Sequence, residues 1–182
     1  MVALLRESEP TCRLIVAKND EVDLSLTDDY DGILLSPGPG VPSEAGLMPE
    51  VIRRCADTHS ILGICLGHQA IAECFGARLE QLQAPLHGVQ DRLLIVKPED
   101  DLLRGLSSDE SIGHYHSWTV AREGFPDCLE ITSRDETGRI MSLRHKTKRL
   151  YGLQFHPESY MTSCGEKIIR NWLRTIHEST RK

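Results

Sequence analysis

Gly63-Ile64-Cys65-Leu66-Gly67-His68-Gln69 lies between two segments of different periodicity. Ahead of it is the short apolar run Ser60-Ile61-Leu62. Behind it, Gln69-Ala70-Ile71-Ala72-Glu73-Cys74-Phe75-Gly76 repeats its apolar positions at helical spacing and stops at a glycine. The stretch therefore reads as strand, sharp turn, helix. A side chain at such a turn stands clear of the backbone, and glycines must flank it because side chains there would collide with neighbouring strands. Gly63-x-Cys65-x-Gly67 has the spacing of the nucleophile elbow, with a thiol in place of the hydroxyl. The helix that starts after Cys65 would favour a thiolate at its positive end and offer free N–H groups to an oxyanion. Gln69, four residues on, lies one turn up the same face, where its amide could reach a bound substrate. A buried cysteine in a strand-to-helix packing turn fits the same spacing equally well.

A second stretch shifts that balance. Leu150-Tyr151-Gly152-Leu153-Gln154-Phe155 reads as a strand and runs straight into His156-Pro157-Glu158. Residues two apart in an extended segment point the same way, and the proline stiffens the peptide between them. A carboxylate held there would orient the imidazole and stabilise its charged form, which supplies base and orienter to the Cys65 nucleophile. On its own, His-Pro-Glu at a strand end is more often an ordinary turn. His68 competes as the base, but a helical side chain leans along its own face, and no carboxylate stands near it in sequence. His156 is preferred.

Three blocks, Ser36-Pro37-Gly38-Pro39-Gly40, Gly63 to Gln69 as quoted, and Gln154-Phe155-His156-Pro157-Glu158-Ser159, occur in an order that resembles the triad (class I) glutamine amidotransferases. Within that family the chain is most similar to the glutaminase subunits (component II) of anthranilate synthase and of 4-amino-4-deoxychorismate synthase. Pro42-Ser43-Glu44-Ala45-Gly46, Leu86-His87-Gly88, Tyr115-His116-Ser117 and Ile140-Met141-Ser142-Leu143-Arg144-His145 extend the resemblance over nearly the whole chain. It implies hydrolysis of glutamine to glutamate and ammonia, with Cys65, His156 and Glu158 as the catalytic triad. It also implies an oxyanion site made by the N–H of Leu66 and a glycine N–H within Gly38, Pro39 and Gly40, and glutamine contacts from Gln69, Ser117 and Trp118, the last two largely through backbone atoms. The implied partner is a chorismate-using synthase subunit (component I), on the tryptophan branch or the folate branch. A γ-glutamyl hydrolase acting alone and a non-catalytic binding module built on the same fold are the other classes to separate.

Composition sets the frame for this chemistry. The 182 residues suffice for one domain with a substantial core and leave no room for a second catalytic domain. A formal charge of −6, with no basic stripe, argues against nucleic acid as a partner. No long apolar stretch or signal peptide is present, so no membrane association and a cytoplasmic location are expected. The six cysteines form no C-x-x-C pair, and none but Cys65 is expected to do more than pack. His114 and His116 alternate onto one strand face, yet no third ligand follows from spacing, so neither a metal nor a cofactor is expected.

Along the chain, residues 1–7 have helical spacing, and strands are expected at Arg13-Leu14-Ile15-Val16-Ala17 and Asp31-Gly32-Ile33-Leu34-Leu35. A helix over residues 47–56 leads to the strand at 61–64, an alternation that predicts an α/β domain with its site at the strands' carboxyl ends. Short strands follow at 89–96, 111–116, 129–132 and 139–143, with a hairpin-like turn at Asp135-Glu136-Thr137-Gly138. A final helix over residues 163–176 presents Ile168, Ile169, Trp172, Leu173 and Ile176 on one face. The expected architecture is a single α/β domain over residues 1–182, with a mixed, mostly parallel central sheet, flanking helices and a smaller antiparallel extension. Relatives in the resembled family open with an apolar strand and an Asp-Asn-x-Asp-Ser-Phe loop. This chain has neither, so the domain is expected to be truncated at its N-terminus.

Overall fold

The computed structural model describes residues 1–179. In chain order its elements are α1 (Val2–Ser8), β1 (Gly32–Leu35), α2 (Met48–Cys55), β2 (Ser60–Ile64), α3 (Leu66–Cys74), β3 (Leu79–Arg92), β4 (Leu94–Ile95), β5 (Ser111–Val120), β6 (Leu129–Arg134), β7 (Ile140–His145), β8 (Leu150–Leu153) and α4 (Gly165–Ser179). Six strands form the main sheet in the order β1-β2-β8-β7-β6-β4, and β3 and β5 form a separate two-stranded sheet. The sheet is mixed, as expected, but its parallel part is narrower than the sequence suggests. Only β1 with β2 and β2 with β8 are parallel; β8 with β7, β7 with β6 and β6 with β4 are antiparallel.

Strand periodicity splits the core into two layers. Ile61 and Leu150 face one layer with Val51, Ile52, Ala70 and Ile71 of α2 and α3. Leu62, Ile64, Tyr151 and Leu153 face the other with Leu5 of α1 and Ile168, Ile169 and Trp172 of α4. The apolar face read for the last helix is thus the one that covers the sheet. Trp172 Nε1 donates to Ser60 Oγ at 3.1 Å, which fixes α4 to the start of β2.

Two strand assignments need correction. Residues 13–17 form no strand: they run as an extended loop with Ile15 49% and Val16 71% exposed. An apolar run becomes a strand only where a neighbour takes its backbone hydrogen bonds, and β1, the edge strand, pairs with β2 alone. The run at 89–96 is also divided. Its first part belongs to β3 and pairs with β5, whereas Leu94 and Ile95 pair with Arg134 and Ser133 of β6. Leu93, fully buried, marks the break where the chain passes from one sheet to the other.

Candidate active site

The three parallel strands end on the same edge of the sheet, and each hands the chain to a loop there. β1 leads to residues 36–40, β2 to Cys65, and β8 to His156. Cys65 has φ 51° and ψ −100°, and it is the one non-glycine residue with positive φ among those described. A residue held in that region costs about 1–3 kcal/mol of strain and persists only where its surroundings impose it. They do so here through close packing. A Cβ on Gly63 would lie 2.4 Å from the backbone of Gly67, and one on Gly67 would lie 2.4 Å from the carbonyl oxygen of Leu35. Both flanking glycines are therefore required, Gly67 by the neighbouring strand, as the sequence suggested, and Gly63 by the first turn of α3. The Cys65 N–H donates to the Leu153 carbonyl at 2.7 Å, which ties the elbow to β8.

His156 Nδ1 and Glu158 Oε1 are 3.0 Å apart. Burial alone would lower the imidazole's pKa, but the adjacent Cys65 sulfur and the Glu158 carboxylate outweigh it and hold the value up at about 9. Burial likewise pushes the Glu158 carboxyl up, and its contact with His156 prevails to hold it below the usual carboxylate range. The other ring nitrogen, Nε2, is buried and makes no hydrogen bond of ordinary geometry, although the thiol is close enough to act on the ring's charge. Cys65, His156 and Glu158 are thus brought to one place from two strands.

The remaining candidates divide. Leu66 opens α3, so its N–H has no intrahelical partner and is free for a ligand. Gly38, Pro39 and Gly40 form an exposed loop beside it, with the Gly38 Cα close enough that a Cβ would lie 2.9 Å from a Leu66 methyl. Pro39 has no N–H, so an oxyanion donor in this loop would be a glycine. Gln69 is buried, and its Nε2 already donates to the Trp118 carbonyl at 2.8 Å and to Gln154 Oε1 at 3.2 Å. Its Oε1 is then the atom left for a substrate. Ser117 falls in the register break of β5 against β3, between His116 opposite Leu86 and Trp118 opposite Gln81. The Trp118 carbonyl is engaged twice, by Gln69 and by His116 Nδ1 at 2.8 Å.

His68 is fully buried, and burial pulls its pKa down to about 3. It sits against β8, where a Cβ on Gly152 would lie 2.6 Å from its Nδ1. Tyr115 packs edge-on to His156, ring centroids 5.1 Å apart, and its hydroxyl lies 3.2 Å from Ser159 Oγ. Sequence reading gave Tyr115 no role. Strand alternation places it opposite His114 and His116, but nothing local reveals that the His156 loop folds back onto that face.

Comparison with known proteins matches residues 3–176 to the family Glutamine amidotransferase class-I. A provisionally named anthranilate synthase component II of Haemophilus influenzae is 43% identical over 154 residues, covering 85% of this chain and 79% of that protein. Aminodeoxychorismate synthase component 2 of Escherichia coli is 37% identical over 162 residues, covering 88% and 86% respectively. Among solved structures, a provisionally named GMP synthase subunit from Thermoplasma acidophilum superposes with a TM-score of 0.87 at 28% identity, covering 98% of this chain and 87% of that one.

Proposed function

The chain belongs to the class I glutamine amidotransferases, and on that premise we propose that Cys65, His156 and Glu158 hydrolyse glutamine for a synthase subunit that uses chorismate. The observation that carries the reading is the strained Cys65 at the head of α3, facing a His156 whose pKa its neighbours raise to about 9. The Cys65 thiolate attacks the side-chain amide carbon of glutamine. The oxyanion that forms is held by the Leu66 N–H and by a glycine N–H of residues 38–40. His156 protonates the leaving nitrogen, ammonia departs, and a thioester remains. Water, deprotonated by the same histidine, then cleaves the thioester to glutamate. Glu158 keeps the ring oriented and stabilises its charge. Gln69, Ser117 and Trp118 hold the substrate's other end.

We place the chain as the glutaminase component for anthranilate synthesis, on the tryptophan branch, in line with its 43% identity to the Haemophilus protein. The second reading is 4-amino-4-deoxychorismate synthesis, on the folate branch, supported by the 37% identity to the Escherichia coli component. Mixing the chain with a component I of each kind and comparing binding and glutamine-dependent turnover decides between them.

Acceptor chemistry in this scheme belongs to the partner, so Cys65→Ala should abolish glutamine-dependent product formation and leave the reaction with added ammonium salt intact. Full glutamine-dependent activity in Cys65→Ala would remove the nucleophile assignment. Efficient hydrolysis of γ-glutamyl peptides by the chain alone, with no binding to a component I, would favour a free-standing hydrolase.

A further inference from the structure

Hydrogen bonding fixes the protons in a buried cluster beside this site. His116 Nδ1 lies 2.8 Å from the Trp118 carbonyl, which can only accept, so that nitrogen carries a proton. In a neutral ring the other nitrogen, Nε2, is then a bare acceptor. His114 Nδ1, 3.0 Å away, must donate to it. In a neutral His114 that donation leaves Nε2 with a bare lone pair. That atom is buried, has no hydrogen-bond partner, and belongs to a side chain that is 0% exposed. It faces Asp91 Oδ2 at 3.9 Å, too far for a hydrogen bond. One ligand atom each from Asp91, His114 and the fully buried Asp135 lie within 4.8 Å of one another. A lone pair turned toward two carboxylates is repulsive unless a cation stands between them.

We propose that Asp91, His114 and Asp135 bind one divalent transition cation of the zinc class. An imidazole nitrogen and two carboxylate oxygens form a donor set that zinc and its neighbours accept, whereas magnesium and calcium favour oxygen alone. Zinc holds such donors at about 2.0–2.2 Å, so two of them on one ion stand roughly 3–4 Å apart, and the His114 to Asp91 distance of 3.9 Å fits. An open groove of about 470 Å³, walled in part by Asp91, Glu110 and Glu136, borders the cluster at Asp91. Arg139 Nη1 donates to Asp135 Oδ2 at 2.9 Å, so the ion shares that carboxylate with a guanidinium. Affinity is accordingly lower than for three free ligands. The ligands come from β3, from β5 and from the turn between β6 and β7, which is why no sequence spacing reveals them.

The test titrates the whole chain with cobalt(II) in a Cys65→Ala background, which removes the competing thiolate. One equivalent should bind with visible d–d bands and no thiolate charge-transfer band. Asp91→Asn, at a partly exposed position where the fold tolerates change, should weaken binding at least about tenfold. Nitrogen NMR of labelled histidines in the metal-free chain should show His114 Nε2 unprotonated at neutral pH, and its resonance should move when zinc is added. Equal cobalt affinity with and without Asp91→Asn would overturn the proposal. So would a protonated Nε2 that zinc leaves unmoved, since an imidazolium would then satisfy both carboxylates.

Discussion

The parallel strands β1, β2 and β8 and the antiparallel strands beyond them bring distant residues together by different rules. Parallel strands end on one edge, so the loop after β1, Cys65 after β2 and His156 after β8 meet there without any one of them having to be long. Antiparallel strands end on alternate edges, and their polar residues meet sideways. Asp91, His114 and Asp135 do so, and Arg144 of β7 similarly reaches Glu130 of β6 at 2.7 Å and Asp100 at 3.8 Å. In the first region the backbone dictates residue type, because α3 lies so close to β1 and β2 that only glycine fits at positions 63 and 67. In the second the backbone is permissive, and charge and burial dictate what the side chains do.

The sharpest way to break this contrast is Gly63→Ala. Its methyl would meet the Gly67 backbone at 2.4 Å, a contact no rotamer relieves. The elbow must move, and a shift of about 1 Å at a reacting group costs on the order of a hundredfold in rate. Overpacking of this kind also costs about 1–3 kcal/mol of stability. Steady-state glutaminase assays and urea denaturation measure the two effects. Wild-type turnover in Gly63→Ala would show that the backbone there is as permissive as in the antiparallel strands.

A smaller effect is expected at Glu158, which acts through His156 and not on the substrate. Glu158→Gln preserves shape and removes charge. Turnover should fall by less than the roughly 10²- to 10⁴-fold that an acid–base group itself supplies. The His156 pKa, held up at about 9 in part by this carboxylate, should fall. Following the ring by NMR through a pH series reads that shift directly, and an unmoved value would leave Cys65 as the sole source of the elevation.

How much of the molecule could be read in advance follows the same division. The convergence of Cys65, His156 and Glu158 was legible because each sits in a short motif whose backbone demands can be seen locally. Gln69 was placed correctly on α3, but its Nε2 is held by Trp118 and Gln154, residues 49 and 85 positions away in sequence. No local pattern reports such partners. Residues 13–17 carry the same apolar texture as β1 but form no strand, because strand identity depends on a pairing neighbour and not on the run itself. At 89–96 the alternation was real, and what it could not show was the transfer between sheets at Leu93. His114 could be placed on its strand face, but the carboxylates beside it were invisible for the same reason as the Gln69 contacts, since the members of the cluster come from three separate elements.

The smallest expected effect lies wholly in the antiparallel region and tests whether its buried charges stabilise the fold. Asp100 is 1% exposed, and burial raises its pKa to about 6 against the pull of the Leu102 and Leu103 N–H groups and of Arg144. A carboxyl bound more tightly to its proton in the folded state than in the unfolded chain, where the value is about 3.9, favours folding at low pH. That contribution is complete below about pH 4 and is lost as pH rises through about 6. At about 1.4 kcal/mol per unit, the charged form costs about 1–3 kcal/mol at neutral pH. Asp100→Asn removes the charge and keeps an oxygen for the two N–H groups, which lie 3.0 and 3.3 Å from Oδ1. Arg144 retains Glu130. The variant should therefore be more stable than the parent by about 1–3 kcal/mol at pH 8, with the gain shrinking toward zero near pH 4, and glutaminase turnover should not change. Urea denaturation at both pH values measures the difference. A variant less stable at pH 8 would mean that the Arg144 contact at 3.8 Å outweighs the burial of the carboxylate, and that charge in this region is held for stability after all.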